Sequence, residues 1–428
     1  MQGNAFYRLL PVYLKRSAFN SFIDDSFFIV YNSGSGNVMQ IESIKIHNYK
    51  VLKDVEVKDV SNMAVFLGKN GAGKSTFFDV FGFLHDCLIG NVKTALTRRG
   101  GFYEVISRNQ VGTIDFEIKF RAYETEPLIT YQLSIGLNEK KFPVVASEIL
   151  KFRRGSKGQP WKVLDFKNGE GVAIEGVLNT NEDVANAVRK SQKLDSPDIL
   201  AIKGLGQFKE FETVATFRRL IENWFVADFK VDAARERNES VYGDDLTRSG
   251  DNLSIVTKYI YDNYPKNFQK ILKSMKERIP GIDDIQAKET DDGYIVLKFQ
   301  NGEFKNPFSA KFVSDGTIKM FTYLVLLNSP MKHALLCIEE PENQLYPELL
   351  EELAEEFRLY SLNGGQVFVS THSPDFLNAV KPEEIFYFAK KDGFTQIKKA
   401  TDNKLFMNCI EQGDLSGALW KQGILSGE

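Results

Sequence analysis

The stretch GKNGAGKS, Gly68 to Ser75, decides the fold. It satisfies GxxxxGK(S/T) at every defined position. It follows an apolar run, Met63 to Leu67, and precedes an apolar-faced helix that opens near Ser75. Glycines at 68, 71 and 73 permit backbone conformations and close approaches that a Cβ would block. The loop's N–H groups and the helix start then converge on an anion. Such a loop cradles the phosphates of ATP. Lys74 is expected to reach the β- and γ-phosphates and the Ser75 hydroxyl to reach Mg2+, with Gly68, Asn70, Gly71, Gly73 and Thr76 completing the nucleotide-binding set.

A phosphate loop requires a second strand that ends in an acid near the metal, and ALLCIEEPENQLYP, Ala334 to Pro347, supplies one. Two adjacent carboxylates closing an apolar run are costly unless something pairs with them. Glu339 is expected to hold Mg2+ through its water shell, and Glu340 to position and deprotonate the attacking water. Glu342 is read as part of the loop that follows, outside the chemistry. In QVFVSTHSPDFL, His372 stands just past another apolar strand, placed to contact the γ-phosphate or the attacking water. Ser314, Asp315, Gly316 and Thr317 form a turn opening the apolar helix KMFTYLVLL. The turn caps that helix and offers a second anion site.

Bulk properties narrow the class. With 43% hydrophobic and 26% charged residues, the chain of 428 has the profile of a soluble globular protein. A formal net charge of −3 gives no global field for nucleic acid, although local basic patches remain. Cys87, Cys337 and Cys409 are too far apart for metal-ligand spacing, and their use suits a reducing cytoplasm. Cys337, inside an apolar run, reads as a small buried hydrophobe. No apolar stretch approaches the ~20 residues needed to cross a bilayer, so no membrane partner is expected.

Along the chain, residues 1–38 read as an N-terminal extension ending in YNSGSGN. Residues 39–180 form a lobe with the phosphate loop and a β-rich subdomain. IESIKIHNYKVLKDVEV reads as a hairpin, VGTIDFEIKF and PLITYQLSIGL as strands, and KNGEG as a turn. Residues 181–300 read as a mostly helical insertion, through EDVANAVRKS, ATFRRLIENWF and LSIVTKYIYDNYPKNFQKILKSMKERI. Residues 301–428 return to alternating helix and strand around a parallel sheet. In that lobe the helix from Pro347 puts Leu349, Leu350, Leu353, Ala354 and Phe357 on one face, with Gly364 as its stop. KFRRGSK, TRRGG and the lysines from Lys266 to Lys276 with Arg278 read first as solvated faces, with phosphate contacts to DNA as the alternative.

Taken in order, GKNGAGKST, SDGT, IEEPENQLYP and STHSP resemble the ATP-binding-cassette heads of the SMC/RecF superfamily. The nearest likeness is to stand-alone ATPases related to the overcoming-lysogenisation-defect (OLD) nucleases of bacterial anti-phage systems. The resemblance covers roughly residues 39–428. It implies an α/β fold: an ABC-type P-loop ATPase head with a parallel sheet flanked by helices, an antiparallel β subdomain, a helical insertion and no long coiled coil. It also implies a homodimer clamped head-to-head by ATP, with Ser314, Asp315 and Gly316 contacting the γ-phosphate in trans. The family's lid glutamine has no obvious counterpart. Gln110 is the candidate for this third metal contact, the alternative being that it merely precedes a strand. Lys50 stands near a position where relatives carry a basic residue, and reads as solvated or as a phosphate contact. Tyr346 replaces the histidine usual before the proline. No second acidic constellation follows STHSP, so a nuclease or toxin is expected as a separate effector protein. The alternative function is a RecF/SMC-like DNA-binding ATPase in repair or recombination.

Overall fold

The computed structural model describes residues 40–121, 128–153, 160–176 and 187–425. The N-terminal extension lies outside them. All five residues of the strand Met63–Leu67 are buried, as happens when a strand is covered on both faces. Ala64 and Phe66 face one core, while Met63, Val65 and Leu67 face the other, because successive side chains alternate. Leu335 and Cys337 likewise oppose Leu336 and Ile338. Cys337 is the buried hydrophobe expected of it.

This strand is the fourth of six in a sheet that runs Trp224–Ala227, Leu335–Glu339, Gln366–Thr371, Met63–Leu67, Ile385–Lys391, Phe394–Lys399. Each neighbouring pair is parallel except the last. An eight-stranded antiparallel sheet holds the expected hairpin, with Tyr49 opposite Leu52, and the paired strands Ile114–Arg121 and Leu128–Leu137. At Asn168 and Gly169 the chain turns with φ of +50° and +82°, the geometry an Asn-Gly hairpin needs. The helix Lys74–Ile89 packs into the same core as that sheet and one face of the parallel sheet, so Phe77, Phe78, Phe81 and Phe83 are all buried.

The region 181–300 is less helical than its pattern suggests. Helices form at Glu212–Glu222, Leu253–Asn263 and Pro265–Arg278. The first ends before WF, however: Asn223 caps it, and Trp224–Ala227 joins the edge of the central sheet. The aromatic and β-branched run WFVA suits a pleated surface better than a helix. Asp284–Glu289 and Tyr294–Gln300 pair as a second antiparallel element. Half of the expected helix EDVANAVRKS lies outside the described residues, and its end belongs to the strand Arg189–Lys193. The lysine-rich helix keeps Lys266, Lys270, Lys273 and Lys276 exposed, whereas Arg278 is bound to Glu352 and Glu356 at 2.8 and 2.6 Å. The helix Pro347–Leu362 buries the five residues expected and ends before Gly364, at φ +102°.

One basic segment behaves differently from its sequence reading. Arg98 is exposed, but Arg99 is buried against the phosphate-loop helix, at 2.8 Å from both Asp79 and Asp86. Asp79 also accepts from the Tyr49 hydroxyl at 2.7 Å and the Lys50 ammonium at 2.6 Å. Burial alone would raise the Asp79 carboxyl, but Arg99, Lys50 and Tyr49 outweigh it and hold the group below its ordinary value. Lys50 is therefore an anchor for the helix rather than a solvated group. Among the described residues no helix is long and apolar enough to cross a membrane, and the longest helices have 16 residues, too short for a coiled-coil arm.

Candidate active site

The site forms where the parallel strands end. Strand register puts Leu67 level with Thr371, and Glu339 level with Ser370. The phosphate loop, His372 and the two glutamates therefore emerge along one edge. The ladder continues one residue further, with the Glu340 N–H donating to the Ser370 carbonyl at 2.9 Å.

In the loop, Gly71 and Gly73 have φ of +76° and +109°, and a Cβ on Gly73 would lie 2.4 Å from the Thr395 hydroxyl. That hydroxyl donates to the Ala72 carbonyl at 2.7 Å, so the last strand of the sheet braces the loop from behind. Gly73 caps the helix without a side-chain acceptor, which leaves the first N–H groups for an anion. Asn70 and Ser75 are exposed and Thr76 is half-buried in the first turn.

Lys74 is 5% exposed; it donates to the Gly68 carbonyl at 2.7 Å and lies 3.8 Å from Glu340 Oε1. Burial lowers its pKa, against the pull of Glu340, Glu342 and Glu339. Glu339 is mostly buried, lines the same hollow as Ser75 and is paired with Arg248 at 3.0 Å. Burial raises its pKa above the ordinary value, opposed by Ser75 and Arg248. Glu340 adopts φ +43°, a left-handed conformation that costs a non-glycine residue about 1–3 kcal/mol and gathers at functional sites. Its Oε2 accepts from Asn343 at 3.1 Å, and its Oε1 lies 3.5 Å from His372 Nδ1.

The donor set of Ser75 and Glu339 is all oxygen, which suits a hard cation. Among the described residues no group of three or more His, Cys, Asp or Glu is arranged to hold a metal by itself.

Other expected residues fall as follows. Ser314 caps the helix Asp315–Leu327 through the Thr317 N–H at 3.3 Å, and both Ser314 and Asp315 are exposed. Asp315 is held by Arg235 at 2.5 Å and by Gln344 at 3.4 Å, while Gly316 approaches the Gln344 carbonyl. Tyr346 is 65% exposed beside Gly316. Gln110 donates to the neighbouring Asn109 carbonyl at 3.1 Å and does not line the hollow beside the carboxylates. Glu342, read as part of the loop after the catalytic strand, has a mostly buried side chain that lies 3.2 Å from His372 Nδ1.

That hollow, about 410 Å³, is lined by Ser75, Asp228, Lys230, Lys319, Glu339 and Gln344, among others. Sequence reasoning missed Asp228, Arg248, Lys319 and Thr395. Lys319 is buried, donates to the Phe229 carbonyl at 2.8 Å, and is pushed down to about 8 by burial, with Asp228 opposing. A lysine within an otherwise apolar helix was the available signal for it. For Asp228, the signal was an acid closing the run WFVA.

Phosphate loop, interposed strand and acid-tipped strand together define a P-loop ATPase domain. The chain belongs to the family described as "AAA domain, putative AbiEii toxin, Type IV TA system", whose model matches residues 63–378. No curated protein matches the chain. Among solved structures it is similar to the SmcHead bound to the C-winged helix domain of ScpA, at 13% identity and a TM-score of 0.50, covering 84% of this chain and 96% of that one. The SMC head domain from Thermotoga maritima gives 12% identity and 0.42, with 84% and 98% covered. A Pyrococcus furiosus Smc head with an extended coiled coil, bound to the C-terminal domain of ScpA, gives 11% and 0.48, with 87% and 100% covered. At such identities the first likeness is one of fold, and it bears out the ABC-type head of parallel and antiparallel sheets. The other two carry no further weight.

Proposed function

We propose that this chain is a Mg2+-dependent ATPase that dimerises head-to-head around ATP and uses binding and hydrolysis to control a separate effector protein in bacterial anti-phage defence. One observation carries the catalytic part: Lys74, Glu339, Glu340 and His372, from three separate segments, meet where the parallel strands end, with Glu339 and Ser75 lining the same hollow.

Bound Mg2+ supplies charge neutralisation on the β- and γ-phosphates. The chain does the rest. Loop N–H groups and Lys74 fix the phosphates. Glu340, held by Asn343 and its own backbone twist, takes a proton from the attacking water. His372 contacts the γ-phosphate. Arg248 pairs with Glu339 from an exposed segment, so it can yield its place to the metal.

Exposure of Ser314 and Asp315 supports the dimer, because the helix cap is satisfied internally while the outer face is open. The family description, with its toxin and toxin–antitoxin terms, supports the effector and the defence role, as does the sequence resemblance to stand-alone OLD-like ATPases. Phosphate release from ATP is expected to require Mg2+ and to be unchanged by added duplex DNA. A rate that rises strongly with DNA supports the RecF-like reading instead.

A further inference from the structure

We infer that Glu342 is a positioning residue that fixes the proton of His372 on Nδ1 and so reserves Nε2 for the nucleotide. The catalytic meaning of this inference rests on the ATPase reading above; its geometric content does not.

Glu342 follows the catalytic strand by three residues, yet its side chain is only 8% exposed. Taking a carboxylate out of water costs several kcal/mol unless partners replace the hydration. Its Oε1 accepts from the Thr371 hydroxyl at 2.7 Å and the His372 N–H at 2.9 Å, and lies within ion-pairing distance of His372 Nδ1, at 3.2 Å. Its Oε2 is buried without a hydrogen-bond partner among the described residues. Among the described residues, the side-chain hydrogen bonds of this buried acid therefore go to Thr371 and His372, where the strand beside the phosphate loop ends.

An ionised carboxylate has no proton to donate, and its negative charge at 3.2 Å favours a proton on the ring nitrogen facing it. Nδ1 also lies 3.5 Å from Glu340 Oε1, a second carboxylate that favours the proton on the same nitrogen. The imidazole thus places Nδ1 within ion-pairing distance of both glutamates. Its Nε2 makes no hydrogen bond among the described residues, and the side chain is 45% exposed. In the neutral ring Nε2 presents a lone pair, and in the protonated ring it presents a donor towards phosphate.

A merely structural Glu342 would staple Thr371 to the loop without selecting a tautomer. The two roles separate in Glu342→Gln, which keeps the size and one acceptor oxygen but removes the charge. The test is 15N NMR of the full chain labelled at histidine, with His372 assigned by the resonances lost in His372→Asn. In the wild-type protein the neutral form of His372 is expected to carry its proton on Nδ1 and leave Nε2 bare. In Glu342→Gln the population is expected to shift towards Nε2–H. ATP turnover should then fall about 10–100-fold, as for other residues that orient a functional imidazole, with ATP affinity unchanged. A wild-type neutral ring protonated on Nε2 and not on Nδ1, or a tautomer that ignores Glu342→Gln, overturns the inference. Absence of ATP hydrolysis in the wild-type chain overturns the ATPase reading instead, and leaves the spectra to decide the positioning.

Discussion

Replacing Glu340 with glutamine is expected to lower ATP turnover by about 10²–10⁴-fold, the usual contribution of a positioned general base, while ATP still binds. The amide fills the same space and can accept from Asn343 as the carboxylate does, but it cannot take a proton from water. Removing this charge also relieves repulsion between the site and the phosphates, so affinity should hold or rise. The left-handed backbone at Glu340 belongs to the turn and not to the carboxylate, so folding should be little affected. Rapid-quench measurement of a single turnover, beside equilibrium binding of ATP, checks both halves. Turnover at the wild-type rate would assign the proton transfer to another group.

Lys74→Ala is expected to act earlier, on binding itself. The ammonium interacts with three carboxylates, Glu340, Glu342 and Glu339, that otherwise face an incoming polyanion. Hydrogen bonds to charged groups contribute about 1.5–3 kcal/mol, so losing the lysine–phosphate contacts alone weakens binding roughly 10–150-fold. The uncompensated acids add to that loss. Lys74 also ties the loop to its own Gly68 carbonyl, and the alanine variant lacks that brace. Calorimetric titration with ATP and Mg2+ should show heat in the wild-type protein and none at matched concentration in the variant. Equal affinities would move the nucleotide away from Gly68–Ser75.

The linear motifs were legible because their chemistry is contiguous. Gly68 to Ser75 carries its own loop, and Glu339, Glu340 and His372 each end an apolar run that reads as a buried strand. The parallel sheet followed from those runs. What stayed hidden depends on strand order, which no local pattern states. Thr395 braces the phosphate loop only because a C-terminal strand crosses behind it. Trp224–Ala227 looked like the tail of a helix until the open sheet edge beside Leu335–Glu339 took it. Asp228 and Lys319 then reached the carboxylates through that edge strand and the packed helix Asp315–Leu327. Arg99 read as solvated because its neighbours are Arg98 and two glycines; its burial comes from Asp79 and Asp86 on another helix. The contacts of Glu342 were hidden for a similar reason: the sequence shows a third acid in a loop, and only the neighbouring strand end shows that it accepts from Thr371 and His372.

Whether each active site is completed by a second copy of the chain is decided by mixing two inactive variants, Lys74→Ala and Ser314→Arg. In a head-to-head dimer each variant alone spoils both sites. A mixed dimer spoils one site twice and leaves the other with an intact Lys74 from one protomer and an intact Ser314 from its partner. Random pairing in an equal mixture should therefore restore about a quarter of the wild-type ATPase rate. A mixture as inactive as its components, or a Ser314→Arg protein active by itself, would contradict the shared site.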